Sequence, residues 1–139
     1  MARTMKLEIV TPEATAYSQD AEMVTLPGIE GQLSIGPDHV RLITQLQPGE
    51  LIVRINGRDE LLAIGEGLVE ITADRVAIVS DMAVAADRID EAKAEEARQL
   101  AAARLHEKLS AEEVASVNGA LLRSLAQLRV KRRSPRSYS

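Results

Sequence analysis

The chain of 139 residues contains no cysteine, no phenylalanine and no tryptophan, and its two aromatic rings are Tyr17 and Tyr138. Without cysteine there is no disulfide framework, no thiolate metal site, no iron–sulfur cluster and no cysteine nucleophile. A chain nearly free of rings builds neither an aromatic cage for quaternary ammonium groups nor a platform on which bases stack. No apolar run approaches the roughly 18–20 residues needed to span a bilayer. The opening MARTMKLEIV carries charge but no apolar stretch of the signal-peptide kind, so a cytoplasmic protein is expected, reaching a membrane only through a partner.

Catalytic and ligand-binding patterns are equally scarce. There is no GxxxxGK[ST] phosphate loop, no GxGxxG between strand and helix, and no HExxH. The glycines of Gly28-Ile29-Glu30-Gly31 and Ile35-Gly36-Pro37 lack a following helix and a lysine, and read as turns. His106 lies among Arg104, Glu107 and Lys108 and reads as a surface residue. His39 follows Pro37-Asp38, where an Asp–His base is conceivable in principle, but no nucleophile or second base stands at a useful spacing. The expectation is a non-catalytic scaffold or regulator with no cofactor and no metal.

What is present is aliphatic: 45% of residues are hydrophobic, and Leu, Ile, Val, Ala and four Met must make the core. Residues 1–87 read as short strands between turns. Lys6–Val10 alternates before Thr11-Pro12, and Met23–Leu26 stops at Pro27-Gly28. Leu51–Ile55 runs into Asn56-Gly57, the residue pair that suits the two positive φ angles of a type I′ hairpin, and Leu61–Ile64 follows. Leu68–Ile71 and Val76–Ser80 complete the series. Several of these strands are apolar on both parities, as expected where two sheets close over one core. This predicts a β-sandwich, or flattened barrel.

From residue 88 to 131 the period becomes helical. Asp90 is a candidate N-cap, and Ala94, Ala97, Ala101, Leu105 and Leu109 share a face. Ser110-Ala111-Glu112-Glu113 is a capping box that opens a second helix, with the stripe Val114, Val117, Leu121, Leu125 and Leu128. The two should form an antiparallel hairpin, weakened or broken at Asn118-Gly119. Past Val130 the apolar period ends, and residues 132–139 are expected to be a basic, disordered tail. Charge divides the chain unevenly: residues 1–113 carry 11 basic and 21 acidic residues, net −10, while residues 114–139 carry six basic and no acidic ones. An acidic body with a basic end points to an acidic partner for that end.

The ordered string Leu26-Pro27-Gly28-Ile29-Glu30-Gly31-Gln32-Leu33, Pro37-Asp38-His39, Leu42 and Leu46-Gln47-Pro48-Gly49 resembles the ε subunit of F-type ATP synthases. The resemblance continues through Gly67, Glu70, Val76 and Asp81, then Ile89-Asp90-Glu91-Ala92 and Ala126–Val130, covering about residues 5–131. It implies the same architecture, a β-sandwich followed by a helical hairpin. Ser34, Gly36, Asp38 and Arg41 depart from the family's usual residues, and Gly65-Glu66-Gly67 replaces a small-Gly-Gly turn.

This resemblance implies a non-catalytic subunit of the central stalk, peripheral on the cytoplasmic face of the cell membrane. Its partners would be the γ subunit, the ring of membrane c subunits and the αβ assembly, with no nucleic acid and no membrane insertion. It would couple ion-driven rotation to ATP synthesis, and its hairpin would inhibit hydrolysis when extended. Glu30, Gly31, Gln32 and His39 would face the rotor ring. Arg123, Arg129, Lys131, Arg132 and Arg133 would meet an acidic segment of the catalytic subunits. Some family members bind ATP through an acidic residue followed by Arg-Ala. The register places Glu113 and Ser116 there and the arginine is missing, so no strong ATP binding is expected. The alternatives are an unrelated β-domain adaptor with a coiled-coil arm, and an enzyme centred on His39.

Overall fold

A computed structural model describes residues 3–13 and 15–134. The strands are β1 (Met5–Val10), β2 (Thr15–Ala21), β3 (Met23–Gly28), β4 (Gly31–Ile35), β5 (Leu42–Leu46), β6 (Gly49–Ile55), β7 (Arg58–Ile64), β8 (Gly67–Ile71), β9 (Arg75–Ser80) and β10 (Ala83–Ala85). A 3₁₀ turn over Ala86–Arg88 leads to α1 (Glu91–Arg104) and α2 (Ala111–Arg133).

The strands follow one hydrogen-bonded path, β10-β7-β6-β3-β5-β8-β9-β1-β2, with β4 added to β3. Between β3 and β5 the path rests on a single pairing, Gly28 opposite Leu46. There the sheet folds over into two layers. Every neighbouring pair is antiparallel except β1 with β9, which run parallel. Alternation decides what lies between the layers: Met5, Leu7 and Ile9 of β1, Leu51 and Val53 of β6, Val69 and Ile71 of β8, and Val76 and Ile78 of β9 are all buried in one core. Fully burying each such side chain is worth about 1.5–3 kcal/mol, so an aliphatic core suffices without rings. Tyr17 packs at its margin, and its hydroxyl donates to Glu60 Oε1 at 3.0 Å, tying β2 to the residue before β7's apolar half.

The Asn56-Gly57 expectation holds: both residues have positive φ, 52° and 75°, between β6 and β7. Four strands are additional to the expected set: β2, β4, β5 and β10. Met23–Gly28 also continues through Pro27-Gly28 rather than stopping before them.

The hairpin is antiparallel. Arg104 near the end of α1 approaches Glu113 near the start of α2, and Arg132 in the last turn of α2 reaches Glu91 in the first turn of α1. Both expected caps are present. Asp90 Oδ1 accepts from the Lys93 amide at 3.1 Å, and Ser110 and Glu113 exchange two bonds of 3.1 Å each. Four details differ from the sequence expectation. The first helix ends at Arg104, leaving Leu105 and Leu109 in the connection. Ala97, Leu105, Val114 and Leu125 are exposed instead of lining the seam. α2 passes through Asn118-Gly119 unbroken. Lys131, Arg132 and Arg133 are helical rather than frayed, because ion pairs and a carbonyl contact hold them; residues 135–139 of the expected tail lie outside the described residues.

Instead of one buried stripe, α2 has two. Val117, Leu121, Ser124 and Leu128, spaced by three and four residues, lie on the side of Arg132, which faces α1. Ala126 and Val130 occupy the other side and pack with Ala63, Ala86 and Ile89, flanked by Leu61, Met82 and Val84. α2 therefore lies across the outer face of β6, β7 and β10.

Candidate functional site

Covering one outer face leaves the other bare. On the layer β5-β8-β9-β1, many of the side chains that do not enter the core are aliphatic and exposed, and α2 packs on the other layer. Leu68 of β8 is directly opposite Val79 of β9, and Val79 is directly opposite Val10 of β1. Leu68 is 52% exposed, Val79 60% and Ile43 of β5 64%. Ile43 sits one row away, opposite Glu70. These side chains form a contiguous exposed aliphatic row.

The four residues expected at the rotor ring separate into two places. Glu30, Gly31 and Gln32 form the tip of the β3–β4 hairpin beside exposed Ile29. An open groove of about 610 Å³ adjoins this tip, lined by Ile29, Gln45, Pro48, Leu68 and Leu122. The backbone makes the tip tight: Gly31 has φ +131°, and a Cβ on Gly28 would stand 2.8 Å from the Gly31 carbonyl oxygen. His39 lies at the opposite end of β4, in the loop to β5. There Asp38 has φ 67°, its amide donates to the Ala73 carbonyl, and its carboxylate pairs with Arg3. His39 Nδ1 is 2.7 Å from its neighbour's carbonyl, Val40 O. Among the described residues no nucleophile or second base is bonded to it, which fits a structural role and not an Asp–His base.

The basic residues of α2 are engaged within the chain. Arg123 Nη1 lies 3.4 Å from Asp81, and Lys131 Nζ donates to the Ala86 carbonyl at 3.2 Å. Arg132 spans Glu91 and Glu95 at 3.0 and 3.6 Å, and Arg133 Nη1 is 2.6 Å from Glu50. Arg129 is exposed and has no ion-pair partner among the described residues. On α1, hydrogen bonding from Arg98 holds the Glu95 carboxyl down at about 2, with Gln99 and the charge of Arg132 acting the same way. Bonding to the Ser110 amide and hydroxyl lowers Glu113 likewise. Burial, followed by its bond to Glu60, pushes the Tyr17 phenol up. Among the described residues, no group of three or more His, Asp or Glu could hold a metal ion, and no helix is long and apolar enough to cross a membrane.

A sandwich with one face capped by its own hairpin and the other bare is the build of a subunit made to sit against other chains. The family model for the β-sandwich domain of the ATP synthase delta/epsilon chain matches residues 4–86. Over 128 residues the chain is 39% identical to the ATP synthase epsilon chain of Laribacter hongkongensis, covering 91% of each. It is 41% identical over 126 residues to that of Herpetosiphon aurantiacus, covering 91% of this chain and 93% of the relative. The chain belongs to the epsilon-chain family of ATP synthases. Its fold is shared with a chain of the mitochondrial ATP synthase of Euglena gracilis, solved as an OSCP/F1/c-ring assembly, with a TM-score of 0.75, 22% identity and coverage of 91% of this chain. The adaptor reading and the His39 enzyme reading are disfavoured by this membership.

Proposed function

We propose that this ε chain is a non-catalytic central-stalk subunit, carried on the cytoplasmic face of the cell membrane by its complex. There it couples ion-driven rotation to ATP synthesis. The observation that supports this most is the bare row Leu68–Val79–Val10 with Ile43 beside it, on the layer opposite the one that α2 packs on. A row of branched aliphatics exposed to water is costly to leave uncovered, and a γ subunit packed on it would turn rotation of one chain into rotation of both. The β3–β4 tip, with Ile29, Glu30, Gly31 and Gln32, would then point toward the c ring. His39 belongs to the opposite end, so its role as a rotor-ring contact does not accompany theirs.

Binding of the chain to γ and the αβ assembly tests this reading. Leu68→Glu with Val79→Glu places two charges on the row while leaving the core side chains untouched, and should abolish association of the folded protein.

The hairpin as inhibitor is a further part of the proposal. In the docked arrangement Arg123, Lys131, Arg132 and Arg133 are occupied by the chain's own groups; extended, they would be free for an acidic segment of the catalytic subunits. Deleting residues 88–139 and assaying hydrolysis by the assembled complex checks it, and unchanged hydrolysis rejects inhibition while leaving coupling intact. Strong ATP binding is not part of the role: Glu113 is engaged by the Ser110 cap and by Arg104, and Ser116-Val117 stand where the pattern has Arg-Ala.

A further inference from the structure

Glu50 is the one acidic residue buried among those described; its side chain is 7% exposed. It stands on the outer face of β6, opposite Ala63 of β7, and so under the hairpin rather than in the sandwich core. Its two oxygens differ. Oε1 meets Arg133 Nη1 at 2.6 Å, whereas Oε2 is buried with no hydrogen-bond partner among the described residues. The carboxylate therefore depends on one cation supplied by the last turn of α2, 83 residues further along. Ser80, the other buried polar side chain outside the helices among the described residues, does not share this dependence: it accepts from the Gly65 amide and donates to the Met82 carbonyl.

What buries Glu50 is α2 itself, since Ala126 and Val130 pack against Ala63 and the two strands of that face. Docking the helix strips water from the carboxylate and returns a single guanidinium. Undocking gives the water back. Taking one partner from a buried pair is far more damaging than replacing both, because it leaves an uncompensated charge in a poorly solvated place. The ion pair that also joins α2 to the sandwich, Arg123–Asp81, is exposed at both ends and contributes little, as does Arg132–Glu91 between the helices.

We propose that Glu50 and Arg133 form a conditional latch, in which the hairpin stays down only while Arg133 neutralises Glu50. Any acidic surface that captures Arg133 would strand Glu50 and expel the helix, so capture of the tail and release of the hairpin become one event. The latch rests on the docked geometry alone. It operates in the isolated chain whether or not the hairpin inhibits a motor, so its test is separate from the assembly experiments.

Hydrogen exchange of the full-length chain measures it, with the amides of α2 reporting undocking and those of β1 and β9 reporting the sandwich. Arg133→Gln should raise α2 exchange about tenfold or more, against about twofold for Arg132→Gln. Glu50→Gln combined with Arg133→Gln should return exchange to within about threefold of the original chain. Equal exchange in R133Q and R132Q would overturn the latch, a comparison that needs no Glu50 variant. A double variant as open as R133Q alone would also overturn it, because Arg133 would then act through something other than Glu50.

Discussion

Arg132, in the last turn of α2, lies 3.0 Å from Glu91, in the first turn of α1, closing the open end of the hairpin. The pair is exposed and spans 41 residues of sequence. Both ends are helix termini, where a cation late in a helix and an anion early in one are each favoured by the helix dipole. Arg132→Gln should loosen the first turn of α1, with a cost of about 0.5 kcal/mol that shrinks in high salt. Exchange rates of the α1 amides measured at low and high salt check this.

The seam has an acid limit set by Glu95. Its carboxyl is held at about 2 by Arg98, against an ordinary 4.5. A group whose folded pKa is lowered stabilises fully above the unfolded value and loses that contribution as pH falls through the folded one. The hairpin should therefore weaken as pH is lowered from 4.5 toward 2, and Glu113, lowered by its cap, adds in the same direction. Glu95→Gln should weaken the hairpin at neutral pH and flatten its acid dependence. Helical circular dichroism against pH, compared between the two chains, is the measurement.

Gly67 begins β8 where β9 passes closely. A Cβ there would overlap the Val79 carbonyl oxygen and stand 2.9 Å from the Ser80 Cα, and backbone inside a paired sheet cannot move aside cheaply. Gly67→Ala should cost about 3 kcal/mol or more and separate β8 from β9, which denaturant unfolding would register. By contrast, Gly57 has open space around it and φ +75°. Gly57→Ala should cost about 1 kcal/mol, through backbone strain alone.

Strands with apolar alternation, the Asn56-Gly57 turn and both helix caps were legible because each follows from local chemistry. β2 and β4 were not: Thr15–Ala21 offers Tyr17 as its large apolar residue, and β4 is an edge whose Gln32 and Ser34 face outward. Apolar residues on both parities were read as two sheets closing on one core. They have two other causes: Ile52 and Leu61 lie on the face that α2 crosses, whereas Leu68 and Val79 are bare. The second buried face of α2 was hidden for a related reason. Arg123, Gln127, Lys131 and Arg133 meet the sandwich through polar heads, so no apolar stripe announces them. Glu50, following Pro48-Gly49, reads as a solvated turn residue until the helix is seen above it.

Central to the account is that the bare aliphatic layer seats the chain on the stalk. The most direct measurement is co-purification of the full chain with γ and the αβ assembly, for the unmodified protein and for L68E/V79E, each checked for a native β-sheet spectrum. Association of the unmodified chain, with loss of it in the variant, is the predicted result. Failure of the unmodified chain to associate, or undiminished association of the folded variant, would contradict it.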